Sequence, residues 1–248
     1  MTNGIPREIR RWICSGERFI ADWLTGRRSR LVRPNWPRSG SIFPVQLTLN
    51  QPIPETEYVQ AKRCNLELAR RLVDNLPVPP SGIFSFWQVI GKPTPQRGFE
   101  RGRSLLGGEL RPDSGGGLCQ LSGLIYHLSL LAGLQVLERH PHSVDIYDDT
   151  TRYAPLGADA TVAYGFKDLR VVNTLSAPVC FRITLAPDVI NCAFCSPAPV
   201  QNCRVEFLRR DAQDGIKTVV TRRYAPGQNE GEVLNISHYR ALRPHQQP

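Results

Sequence analysis

The sequence has no apolar run of about 18 residues, the length a bilayer-spanning helix needs, so no transmembrane helix is expected. Its first residues include arginines but no apolar stretch of the secretory kind, so no signal peptide is read there. It has no internal repeat, which sets aside solenoids and propellers. It has no nucleic-acid-binding motif, and its aromatic residues, 8% of the chain, are not interleaved with basic ones in a repeated pattern. Nucleic acid is therefore not an expected partner, although the net charge is +9. Acidic residues are scarcest at one end, where residues 1–40 hold nine arginines and three carboxylates. That end is suited to an anionic surface, such as membrane lipid or a cell-wall polymer, or to a partner protein. Seven cysteines, an odd number without an export signal, argue for thiols or a metal over a disulfide framework. Together these absences give a cytoplasmic protein, peripheral to a membrane if the basic end engages one.

A length of 248 residues permits one large domain or one domain with extensions. The expected division is a basic N-terminal helix and irregular extension over 1–55, a core over 56–178, and a strand-rich C-terminal part over 179–248 packed on it. Residues 5–25 read as an amphipathic helix, either lying on an anionic membrane or packing on the domain or a partner subunit. Tyr58 to Leu76 is a second helix, ended by Pro77, Pro79 and Pro80, with Asn65 as a surface-capable member. Leu105 to Leu110 reads as a hairpin around Gly107-Gly108. Short strands are expected at 45–49, 83–86, 134–138, 157–165, 169–173, 180–185, 205–208, 218–222 and 232–237. The pattern is α+β, with a central helix packed on a mostly antiparallel sheet.

The chain is organised around Asp113-Ser-Gly-Gly-Gly-Leu-Cys119-Gln120-Leu-Ser122. Leu121, Leu124, Leu128 and Leu131 recur at helical spacing, and Gly133 is a helix stop. Cys119 falls in the first turn, where unbonded N–H groups and the helix dipole stabilise a thiolate. Gly115, Gly116 and Gly117 bring backbone close without side-chain bulk. A cysteine nucleophile needs a base and an acceptor that orients it. His142 is the first choice of base, with His140 beside it on the same face of an extended segment, and Asp159 as the orienting carboxylate. The order Cys119, His142, Asp159 resembles the layout of transglutaminase-like and papain-like enzymes. The oxyanion donors expected are the Cys119 amide and backbone of Gly116 and Gly117. Ser122 and Tyr126 share the helical face of Cys119 and are candidates to line the pocket. Arg139 and Arg152 are candidates to bind a substrate carboxylate or phosphate.

Two metal readings accompany this one. Cys119, His140 and His142 are competent ligands for a metal-dependent enzyme. Cys180, Cys192, Cys195 and Cys203 include one Cys-x-x-Cys pair and are a candidate structural zinc site. The nucleophilic mechanism itself requires no cofactor.

The stretches Asn65-Leu-Glu-Leu-Ala69, Pro80-Ser-Gly-Ile-Phe-Ser-Phe86, Arg97-Gly-Phe99, Gly115 to Ser122, Tyr126, Leu131-Ala-Gly-Leu134, Glu138-Arg-His-Pro-His-Ser143 and Asp159 to Gly165 with Asp168 resemble the VanW family. The resemblance covers roughly residues 60–175. Its hallmark residues fall on Gly115, Gly116, Gly117, Cys119, Gln120, His140, His142, Ser143 and Asp159. It implies an association with glycopeptide resistance and the cell envelope. The expected function is a cysteine-dependent acyl-transfer enzyme, hydrolase or amide-forming transferase, acting on an amino-acid, peptidyl or peptidoglycan-like small substrate. The alternatives are the metal enzyme above and a non-catalytic envelope or peptide-binding protein.

Overall fold

The computed structural model describes residues 6–38, 43–106, 109–145, 152–212 and 215–241. In chain order its elements are α1 (Arg7–Leu24), β1 (Val45–Pro52), α2 (Val59–Val73), β2 (Ile83–Ser85), α3 (Phe86–Ile90), β3 (Arg101–Leu106), β4 (Glu109–Ser114), α4 (Leu118–Leu131), β5 (Gln135–Glu138), β6 (Val144–Asp145), β7 (Arg170–Val172), β8 (Cys180–Leu185), β9 (Val189–Cys195), β10 (Arg204–Asp211), β11 (Ile216–Tyr224) and β12 (Glu232–Ala241). The fold is α+β, with helices packed on sheets of mostly antiparallel pairing.

The helix α4 is central because nothing in it resists burial. It has no charged residue, and Leu118, Leu121, Leu124, Ile125, Tyr126, Leu128 and Leu130 are all buried. A helix apolar on every side has to be enclosed on every side. Its two buried serines are satisfied: Ser129 donates to the Ile125 carbonyl one turn back at 2.7 Å, and Ser122 to the Ala160 carbonyl, distant in sequence, at 2.6 Å. The helix stops as its sequence requires, with Gly133 at φ 75° and the Leu134 amide bonded back to the Ser129 carbonyl.

Three sheets flank α4, which touches β1, β5, β9 and β10, and the β3-β4 hairpin packs on α2. The first has the order β1-β9-β8, so it draws strands from both sides of residues 55 and 178. The second is β2-β7-β5, and the third is β10-β11-β12-β6, in which only the β12–β6 pair is parallel. The hairpin β3-β4 forms as its sequence suggests, although its Gly107-Gly108 turn lies outside the described residues. The β9 strand has the alternation that a half-buried strand needs: Ile190, Cys192 and Phe194 all enter the main core.

Three expectations are corrected. Residues 157–165 are not a strand; their carbonyls are taken one by one, Asp159 by Arg139 Nε, Ala160 by Ser122 and Val162 by the Cys119 thiol. His140 and His142 also lie off any strand, between β5 and β6. Asn65 is fully buried. Its amide donates to the Glu100 and Gly116 carbonyls, each at 3.0 Å, and its oxygen accepts the Glu100 amide at 2.8 Å. Asn65 thereby ties α2 to the glycine loop ahead of α4.

Candidate active site

The glycine loop delivers Cys119 to the start of α4. Gly117 sits at φ 95°, a left-handed conformation that turns the chain into the helix. Gly116 lies against the backbone of Gly102 on β3: a Cβ at Gly116 would stand 2.4 Å from the Gly102 carbonyl carbon. Leu118 and Gln120 donate their amides back to the Gly115 and Gly117 carbonyls, at 3.3 and 3.0 Å. The Cys119 amide lies between them in the same first turn of α4.

The thiol of Cys119 is half-buried and lines a cavity of about 890 Å³. That volume is in the range of small-molecule sites. Cys119 and His142 line the same cavity and influence each other's ionisation, and the Cys119 sulfur is 3.8 Å from the Val162 carbonyl. His142 turns Nδ1 to Asp159 Oδ2 at 2.7 Å, which leaves Nε2 for the sulfur. The His142 backbone amide donates to the same Asp159 oxygen, also at 2.7 Å. Ring and backbone of His142 are therefore both fixed by one carboxylate.

Asp159 is held in turn by a buried cluster. Its Oδ1 accepts the Tyr239 hydroxyl at 2.6 Å and the Arg139 guanidinium at 2.9 Å. Arg139 also donates to the Asp159 and Gly157 carbonyls and to Ser237, and it lies over the Tyr126 ring. Burial pushes the Asp159 carboxyl up, but the bonds and charges of His142 and Arg139 and the Tyr239 hydroxyl outweigh it and hold it below the usual carboxylate range. For His142, burial favours the neutral ring, yet Asp159 and the Cys119 sulfur outweigh that and raise it to about 10. Burial likewise raises the Cys119 thiol, and the His142 hydrogen bond and charge reverse this, so the thiol ends below its ordinary value. All three directions favour a thiolate–imidazolium pair leaning on an ionised carboxylate.

The remaining sequence candidates divide clearly. Gly115, Gly116, Gly117 and Gln120 line the cavity, and Gln120 is steadied by a 2.8 Å bond from Nε2 to the Pro52 carbonyl. His140 does not face Cys119; its Nε2 meets Glu138 at 3.1 Å. Ser122 and Tyr126 are fully buried beneath the cavity, the Tyr126 hydroxyl accepting from Asn235 at 2.9 Å. Arg139 is spent on Asp159 and its neighbours, and Arg152 pairs with Asp145 at 2.8 Å. Ser143 is exposed, with its carbonyl bonded to the Arg240 amide, and it is not among the cavity-lining residues. Sequence reasoning missed Tyr239 and Ser237, which reach the site from β12. Nothing in an alternating strand near the chain's end distinguishes them.

Both metal readings are overturned. Among the described residues there is no group of three or more His, Cys, Asp and Glu side chains able to hold an ion. His140 and His142 point to different carboxylates, so Cys119, His140 and His142 do not converge. The cysteine cluster fails as a zinc site because Cys192 and Cys195 are three apart on a strand, which sends them to opposite faces. Cys192 enters the core, Cys195 faces Cys180 across the β8–β9 pair, and Cys203 packs near Gly133.

The VanW-like protein family model matches residues 61–195, which contain most of α2, the glycine loop, Cys119, His142 and Asp159. The chain belongs to the VanW-like family. Relatives include an uncharacterized protein of Bacillus subtilis, YoaR, 36% identical over 137 residues, covering 51% of this chain and 44% of the relative. Another is the vancomycin B-type resistance protein VanW of Enterococcus faecalis, 28% identical over 158 residues, covering 61% of this chain and 58% of that protein. The chain spans about half the length of the curated relatives it matches. No solved structure is significantly similar to it. The VanW-like match ends at Cys195, so Tyr239 and Ser237 come to the site from outside the matched segment.

Proposed function

We propose that this VanW-like chain is a cysteine-dependent acyl-transfer enzyme. What supports the reading is that Cys119, His142 and Asp159 line one ligand-sized cavity, with His142 bonded to Asp159 and the Cys119 thiol lowered by the His142 ring. In this reading the Cys119 thiolate attacks an amide, ester or thioester carbonyl, and the carbonyl electrons move onto the oxygen beside the Cys119 amide. The imidazolium of His142 then gives its proton to the departing amine, alcohol or thiol, and an acyl-cysteine remains. Water or an amine, deprotonated by His142, releases the acyl group. Asp159 holds the ring in the tautomer and orientation both transfers need.

The layout is like that of transglutaminase-like and papain-like enzymes in the roles of these three residues, and the comparison extends to roles alone. The resistance role in the name of the Enterococcus faecalis relative makes a peptidyl or peptidoglycan-like amide the substrate class to try first.

The test needs no natural substrate. With p-nitrophenyl acetate, mass spectrometry is expected to find an acetyl group on Cys119, absent from Cys119→Ala. His142→Gln is expected to slow its formation about 100-fold or more. A Cys119 that titrates as an ordinary thiol and gains no acetyl group would overturn the reading.

A further inference from the structure

The helix α1 is mounted with its polar side inward. Arg18 forms a two-pronged pair with Glu138 at 2.7 and 3.1 Å, and Asp22, itself buried, pairs with Arg170 at 2.7 Å. Arg11 lies against Gly165, and Arg7 and Arg11 form part of one wall of the cavity. The apolar side consequently faces out. Ile9, Trp12, Ile13, Ile20, Trp23 and Leu24 recur at helical spacing and are all exposed, Trp12 at 72% and Trp23 at 68%. Phe19 borders this stripe, and Arg28 stacks over its ring at 4.2 Å. The arginine-rich turn Arg27–Arg30 therefore edges the same face.

We propose that this outer face of α1 docks on an anionic lipid bilayer. A stripe of this width carrying two tryptophans is the form of a helix lying in the interface, its apolar side among the upper acyl chains. The rim supplies the electrostatic half. Arg10 lies on α1 itself and Arg28 stacks on Phe19 at the edge of the face, neither in an ion pair among the described residues, and Arg27 and Arg30 belong to the turn that follows, against the carboxylates of Glu8 and Glu17. A second copy on this face would set those arginines against their own images, whereas anionic headgroups neutralise them. Docking also holds the cavity beside the membrane, because the two sides of α1 are separated by one helix diameter, roughly 10 Å. The inference is independent of whether Cys119 is a nucleophile.

The full chain is mixed with phosphatidylcholine vesicles, with or without about one quarter phosphatidylglycerol. It is expected to co-sediment with the anionic vesicles about ten-fold more strongly, with a blue shift in tryptophan emission. The paired substitution Trp12→Ser and Trp23→Ser should weaken sedimentation about ten-fold or more, with unchanged circular dichroism. Three outcomes overturn the proposal: no sedimentation with anionic vesicles, binding indifferent to the paired substitution, or a stable dimer by light scattering that the same substitution dissociates.

Discussion

Arg139 is 4% exposed at its side chain, and its donors are divided among Asp159, Gly157, Ser237 and Tyr239. The planar fork is what allows one side chain to bond a carboxylate, two carbonyls and two hydroxyls together. In the proposed mechanism it would act through Asp159, as a positioning residue. Removing it leaves Asp159 with less compensation in a mostly buried place. Arg139→Ala is expected to cost about 3–5 kcal/mol in urea unfolding. Arg139→Lys keeps the charge and loses the fork; it should fold, yet lower the alkylation rate of Cys119 by iodoacetamide at neutral pH. The sequence made Arg139 legible as functional but suggested substrate contact, because its partners at positions 237 and 239 are far away along the chain.

The glycine loop and the start of α4 form the element on which the thiol depends. Its tightest constraint is the backbone contact of Gly116 with Gly102, where an added methyl has no flexible side chain to displace. Gly116→Ala is expected to cost about 1–3 kcal/mol and to reduce Cys119 alkylation, read by thermal melting and mass spectrometry. Gly123 is the control within α4. A Cβ there meets nothing nearer than the Ala158 carbonyl oxygen at 3.6 Å. Gly123→Ala should be neutral or stabilise by roughly 0.5–1 kcal/mol, through helix propensity. The element itself was readable from its run of glycines, its apolar period and its stop. The Asn65 strut was not, since a polar residue on a helix face is indistinguishable from a solvated one until its partners fold around it.

At the scale of the whole molecule, several carboxylates tie distant segments together, and this sets the response to acid. Burial raises Glu138, but His140 and the Arg18 guanidinium outweigh it and hold the group at about 2. Within α2, where the pairing is local, the Arg70 hydrogen bond brings Glu67 to about 2 as well. Asp145, raised by burial but paired with Arg152 and Lys217, is also lowered. A group with a depressed folded pKa contributes stability that is complete above its unfolded value and lost as pH falls toward the folded one. For Glu138 that window runs from 4.5 down to about 2. Asp168 works the other way: burial lifts it from 3.8 to about 6, so its ionisation opposes the fold as pH rises through that interval. The melting temperature should therefore fall steeply below about pH 4 in calorimetry. Glu138→Gln is expected to lower it at neutral pH and to flatten the acid limb, because the α1 anchor at Arg18 loses its charge partner.

The sequence by itself determined what depends on near neighbours. Helical period, turn-forming glycines and strand alternation are properties of a few consecutive residues, so α2, the glycine loop, α4 and most strands could be read directly. It also singled out Cys119, His142 and Asp159, which the structure places in one cavity. Only the tertiary structure decided which residues meet. It separated His140 from His142, sent Cys192 and Cys195 to opposite sides of β9, and turned the arginines of α1 inward and its tryptophans out. Those outcomes rest on pairings between positions far apart in the chain, such as Arg18 with Glu138, where complementary charge is satisfied once packing excludes water, and no local pattern records that.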